Sequence, residues 1–192
     1  AAPGDYTATL SKEVDGEFKT LSPPIQFEVV PLRKPTLRGS SPGAAAAFWR
    51  SYEASVSSST ALSQSLRTEL ARVDAMQMAL SRATVAPGDL DQRLNMLKKL
   101  LQAFEDELYG NRAKQQVGEM TGPTIRSRLN FVSLGVYKST YGPTDTLKRT
   151  LEIANAQILE IKTELKKARA DAATLAKDLM QAGAPWVEGN PL

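Results

Sequence analysis

The chain has 192 residues, a formal charge of +3, 42% hydrophobic and 23% charged residues, and neither cysteine nor histidine. That length suffices for one good core, or one core with a small appendage. The two missing residue types exclude disulfides, thiolate or imidazole metal ligation, thiol catalysis and Ser-His-Asp catalysis together.

The pI near 9.1 is only mildly basic. Basic residues interleave with Asp and Glu along the helical segments, which predicts solvated faces rather than a nucleic-acid stripe. No apolar run approaches the ~20 residues that span a membrane. The opening Ala1-Ala2-Pro3-Gly4-Asp5-Tyr6 has neither the basic n-region nor the apolar h-region of a signal peptide. A removed signal, or a start inside a longer chain, fits it equally.

Residues 4 to 30 read as β structure. Tyr6, Ala8 and Leu10 alternate with Thr7, Thr9 and Ser11, a period of two. Val14-Asp15-Gly16-Glu17 carries the Asp-Gly pair preferred at a type I′ hairpin turn. The return strand starts near Phe18, breaks at Ser22-Pro23-Pro24, and resumes as Ile25, Phe27 and Val29. Proline cannot donate to a ladder, so the break belongs at an edge or a bulge. A lone hairpin is marginal in water. This one therefore packs on the helices or completes a sheet elsewhere, and its grammar is that of the last strands of an immunoglobulin-like sandwich.

The Pro/Gly-rich segment from Pro31 to Gly43, with basic Arg33, Lys34 and Arg38, reads as an extended, stiff linker. Helix one is expected from about Ala44 to Thr84, on a stripe of Phe48, Tyr52, Val56, Ser59, Leu62, Leu66, Leu70, Val73, Gln77 and Leu80. Pro87-Gly88 ends it. Asp89 with Gln92 forms a capping-box pattern for helix two. Helix two spans about Leu90 to Tyr109, with Leu90, Leu94, Leu97, Leu101, Phe104 and Leu108 at four-three spacing and Gly110-Asn111 as the C-cap. The short connection predicts an antiparallel pair.

Residues 111 to 143 are the least regular. Pro123 suits the first turn of a short helix capped by Thr121 or Gly122, with Ile125, Leu129, Val132 and Val136 as its stripe. Thr144 or Asp145 caps the last helix. Its stripe is Leu147, Leu151, Ala154, Ile158, Ile161, Leu165, Ala168, Ala172, Leu175 and Leu179, alternating four and three without a slip. It ends near Ala182-Gly183, and Trp186 in the irregular tail is expected to fold back on one end of the bundle.

No set of residues reads as a catalytic site. Glu105, Asp106 and Glu107 are adjacent on a helix and diverge by about 100° each. Glu160 and Glu164 share a face with Lys162, Lys166 and Lys167, the pattern of surface ion pairs. Gly118 to Pro123 lacks the Lys-Ser/Thr ending of a phosphate loop. Arg112, Lys114, Arg126, Arg128 and Lys138 lie near Phe131, Tyr137 and Tyr141, a mixture that binds single strands in other proteins. Carbonyls or carboxylates at the bundle's end are the more economical partners of Arg126 and Arg128. The leucine stripes form either an internal core or an intermolecular coiled coil, and three compatible stripes in one chain favour the core.

Three blocks then resemble a known family: Pro3-Gly4-Asp5-Tyr6-Thr7-Ala8-Thr9-Leu10, Phe27-Glu28-Val29-Val30-Pro31-Leu32, and a helical region holding Gly122-Pro123-Thr124-Ile125-Arg126-Ser127-Arg128-Leu129 and Gly142-Pro143-Thr144-Asp145-Thr146-Leu147 through Pro185-Trp186. They are similar to the C-terminal region of bacterial sortilin-like (VPS10/BNR-repeat) exported proteins, often labelled glycosyl hydrolases. The resemblance implies a β-propeller and an immunoglobulin-like segment upstream, and a periplasmic, cell-surface or secreted location. The propeller's Asp-box repeats are absent here, so no propeller ligand site carries over, and the hydrolase label is a fold-level analogy.

The expected architecture is mainly α: an antiparallel three-helix bundle with an extra short helix, preceded by a β-hairpin from an immunoglobulin-like segment. Residues 1–32 form the hairpin, 33–43 the linker and 44–192 the bundle. The expected function is a non-catalytic structural or interaction module of a larger exported protein. The alternatives are an accessory part of a glycoside hydrolase whose active site lies upstream, and a coiled-coil adaptor. Tyr6, Leu10, Phe27, Val29, Arg33 and Lys34 are the candidate partner-binding residues. The partner is the missing propeller or immunoglobulin-like portion, or a second chain joined by strand addition. No cofactor, metal, nucleic acid or membrane span is expected.

Overall fold

The computed structural model describes residues 2–32, 36, 38–84, 86, 88–137 and 141–184. The fold is mainly α with a β-hairpin in front, as the sequence predicts. Four strands come first: β1 (Gly4–Ala8), β2 (Ser11–Val14), β3 (Glu17–Thr20) and β4 (Ile25–Val29). Five helices follow: α1 (Pro42–Leu80), α2 (Leu90–Tyr109), α3 (Arg112–Gln116), α4 (Ile125–Tyr137) and α5 (Asp145–Gln181).

The strands form one long antiparallel ribbon in two ladders. β1 pairs with β4, with Tyr6 opposite Phe27, and β2 pairs with β3 up to the turn. At the tip Asp15 has φ +54° and Gly16 φ +82°, the two left-handed residues that a type I′ turn demands. Between the ladders the outgoing arm contributes Thr9-Leu10 and the return arm Leu21-Ser22-Pro23-Pro24. The longer return segment absorbs the two prolines that have no N–H to pair. The Leu21 amide, donating to the Leu10 carbonyl at 2.8 Å, bridges the break.

α1 and α5 run parallel, with a broken middle arm antiparallel to both. Near one end Ser40 N–H donates to the Tyr141 carbonyl at 2.8 Å. Midway, Arg169 on α5 bonds Glu69 on α1. At the far end Arg93, opening α2, reaches Asp178, closing α5, at 2.9 Å. The middle arm is α2, then an excursion through α3, then α4. The short helix expected after residue 120 is thus the second half of the middle arm.

The core is one cluster fed by all three arms. All six predicted positions of α2 and all ten of α5 are buried. So are Ile125, Leu129 and Val132 of α4. Ala154, Ala168 and Ala172 are almost wholly enclosed, as small residues at a close helix approach should be. Gly135 serves the same end: a Cβ there would lie 2.6 Å from Leu147 Cδ1, so α4 approaches α5 through the gap.

Local signals differ from expectation in several places. α1 starts at Pro42, capped by Ser41, and ends at Leu80. Its buried face includes Ser55, Glu69, Met76 and Ala79, while Gln77 sits at the margin, donating to Asn95 at 2.9 Å and accepting from Lys98 at 3.1 Å. Asp89 precedes α2 without a side-chain cap, because its backbone (φ −91°, ψ 1°) is not the extended form that aims a cap back at the helix. Its carboxylate faces Arg93 at 3.8 Å instead. Thr124, not Thr121 or Gly122, receives the first free amide of α4, from Ser127 at 3.1 Å. Thr144 caps α5 and Gly110, with φ +85°, closes α2 as expected. Trp186 lies outside the described residues.

Candidate interaction surface

The register sorts the ribbon's side chains by face. Directly opposed residues share a face, so Tyr6 and Phe27, Ala8 and Ile25, and Gly4 and Val29 form one side. Asp5 with Glu28 and Thr7 with Gln26 form the other. The inner ladder is therefore amphipathic. Tyr6 and Phe27 stack with ring centroids 5.8 Å apart, and the Tyr6 hydroxyl donates to the Ala2 carbonyl at 2.6 Å.

No helix covers that apolar face. Among the described residues of the ribbon none is buried, and Phe27 is 48% and Ile25 63% exposed. Substantial packing runs helix against helix or strand against strand. Among the described residues the outer edges of β1 and β4 are unpaired along their length, since each sheet has two strands. Of the two sequence-level placements for the hairpin, packing on the bundle is not what the structure adopts.

The candidate residues divide accordingly. Tyr6, Phe27 and Val29 come together on one face, and Ile25, overlooked beside them, completes it. Its place is legible from the alternation Ile25, Phe27, Val29. Leu10 stands apart, at the break between the ladders, 61% exposed. Arg33 and Lys34 lie outside the described residues.

The basic residues weighed for nucleic acid do not form one stripe. Lys114 is paired with Glu119 at 3.0 Å. The Arg126 guanidinium lies over the Tyr109 ring, 5.7 Å from its centroid, at the middle of the bundle and not at its end. Arg128 has its Nε buried without a hydrogen-bond partner. Lys138 lies outside the described residues. Of the carboxylates, Glu164 pairs with Lys167 at 2.7 Å, the surface pair expected. Among the described residues no three His, Cys, Asp or Glu side chains converge to hold a metal ion, and no helix is long and apolar enough to cross a membrane.

No known family, curated protein or solved structure matches the chain.

Proposed function

We propose that this chain is a non-catalytic structural or interaction module, a helical bundle that presents a β-ribbon to a β-sheet. The sheet belongs to the remainder of a larger exported protein of the sortilin-like kind or to a second chain, and the ribbon joins it by strand addition with its apolar face turned inward. The observation that carries this reading is the apolar face of a two-stranded ribbon with open edges, where Ile25 and Phe27 are exposed beside half-buried Tyr6 and Val29. An isolated ribbon of that kind is marginal in water. Covering a Phe, Ile or Val side chain is worth roughly 1.5–3 kcal/mol each. Edge amides and carbonyls of β1 and β4 supply the main-chain pairing that strand addition uses.

The bundle favours a scaffold role over that of a coiled-coil adaptor, because its three arms bury their stripes against one another within one chain. Location in the periplasm, at the cell surface or outside the cell is part of the same proposal and rests on the sequence resemblance.

The test is hydrogen exchange over residues 4–29, compared between the 192-residue chain and the native polypeptide isolated from its source. Slower exchange in the native protein is expected, and Phe27→Asp with Val29→Asp should abolish the difference while leaving helix amides protected. Equal exchange in both preparations would refute strand docking. The intact mass of the native polypeptide then tells a covalent sheet (mass above 20.8 kDa) from one on a second chain.

A further inference from the structure

The middle arm breaks between Gly110 and Ile125, and a cleft of about 320 Å³ opens there between α1, α2, α3 and α4. Three exposed arginines line it, one from each of three elements: Arg67 of α1, Arg112 of α3 and Arg126 of α4. Glu105 is the single carboxylate in its wall. Among the described residues no carboxylate lies within 4 Å of any of the three arginines, as is also true of Arg50, Arg82 and Arg128, while Arg72, Arg93, Arg149 and Arg169 each have one.

The cleft is held in shape by groups that are themselves satisfied. The Tyr109 hydroxyl is hydrogen-bonded to the Ser63 hydroxyl across the α1–α2 interface. Gln115 Nε2 donates to the Tyr109 carbonyl at 3.1 Å, which folds α3 back over the end of α2. Gly110 permits this fold, since its φ of +85° is left-handed and a Cβ there would run into the Gln115 amide. Arg126 is oriented by the Tyr109 ring beneath it.

The geometry points to a binding site for a small phosphate monoester. Three arginines less one glutamate leave a wall charge of +2, which complements a phosphoryl dianion of about −1.5 to −2. Guanidinium forks match phosphoryl oxygens bidentately, and arginine is the residue of choice for that geometry. Glu105 disfavours a ligand dense in carboxylates and accepts hydrogen bonds from hydroxyls, so the body carrying the phosphoryl group is a polyol or sugar. The volume is that of a small-molecule pocket. The site is independent of the ribbon and of its partner.

Titration calorimetry of the 192-residue chain at constant ionic strength tests this with glycerol phosphate, inorganic phosphate and sodium chloride. Saturable, one-to-one binding of glycerol phosphate is expected. Arg112→Gln and Arg126→Gln should each weaken it about tenfold, the loss of a charge-assisted bond. Arg149→Gln, on the exposed face of α5, should leave it unchanged. Tighter binding of glycerol phosphate than of inorganic phosphate supports the ester as ligand, and equal binding supports the phosphoryl class with the free ion as its source. The far-ultraviolet circular dichroism of each variant reports that the bundle is intact, and Arg67→Gln replaces any variant that fails it. Binding that chloride reproduces, binding unaffected by the arginine substitutions, or no binding at all would overturn the assignment.

Discussion

Among the described residues Glu69 is the buried charge of this bundle, and its partners make substitutions on the two sides of the pair differ in effect. It is 7% exposed in the middle of α1. One carboxylate oxygen accepts from Arg169 Nε at 2.9 Å, and the other is buried without a hydrogen bond, 3.7 Å from Arg72. Removing the guanidinium with Arg169→Met leaves a desolvated carboxylate with one poorly placed cation. Breaking a fully buried pair costs about 3–5 kcal/mol. The Arg169 side chain is 46% exposed, so water partly replaces it, and about 2 kcal/mol is the appropriate figure, in the range for a hydrogen bond to a charged group. For a chain of this size that is a fall in Tm of roughly 4–8 °C.

Replacing the acid by an apolar residue of similar volume, Glu69→Met, removes both the buried charge and its unsatisfied oxygen. The orphaned Arg169 relaxes into solvent. That variant should be neutral or more stable, and the double variant should match it within about 0.5 kcal/mol. Urea unfolding at pH 7, monitored by circular dichroism, measures all four corners of the cycle. A Glu69→Met variant as damaged as Arg169→Met would refute the reasoning, because the pair would then be a net source of stability.

Two further outcomes follow from packing. Leu101 is 1% exposed at the α2 contact with the other arms, so Leu101→Ala should destabilise by roughly 2–5 kcal/mol in the same urea assay. Gly39→Val should open the contact between the linker and the loop before α5, because a Cβ at Gly39 lies 2.6 Å from the Tyr141 carbonyl oxygen, a backbone atom. Faster hydrogen exchange at the Ser40 amide, with α2 amides unchanged, is the expected readout.

What the sequence discloses here depends on how cleanly each helix repeats. α2 and α5 carry apolar residues at every core position, so spacing alone recovers their buried faces. On α1 the true face past Leu62 is Leu66, Glu69, Val73, Met76 and Leu80, a strict four-three alternation. The apolar identity of Leu70 instead points the expected stripe through Leu70 and Gln77. Holding to the alternation, and accepting a charged residue in the core, is the signal that would have found Glu69. α3 has five residues and no buried side chain, so hydrophobic periodicity could not reveal it. The capping box at Asp89 failed for a backbone reason invisible in the sequence. The ribbon's turn, break and alternation were legible because Asp-Gly, Pro-Pro and period two each have a direct conformational cause. That it packs strand against strand and not substantially on the helices has no sequence signature.

The polar cleft sits where the bundle's own construction leaves room for it. α1 and α5 run unbroken for 39 and 37 residues, and their stripes fill the seam between them with Leu, Ile, Val and Ala. A charged side chain directed into that seam must find a partner there, as Glu69 does. The middle arm is different. Where it stops at Gly110 and resumes at Ile125, helix ends replace a packed side-chain layer, and the excursion carrying α3 covers part of the gap. The exposed arginines at that break border a partly enclosed space beside Leu66 and Leu70 without displacing apolar core. The same residues moved one turn into the unbroken seam would bury charge without a counter-ion. Interrupting one arm of three thus gives the bundle a recess for an anion at its waist, walled by the continuous α1 on one side and by the broken arm on the other.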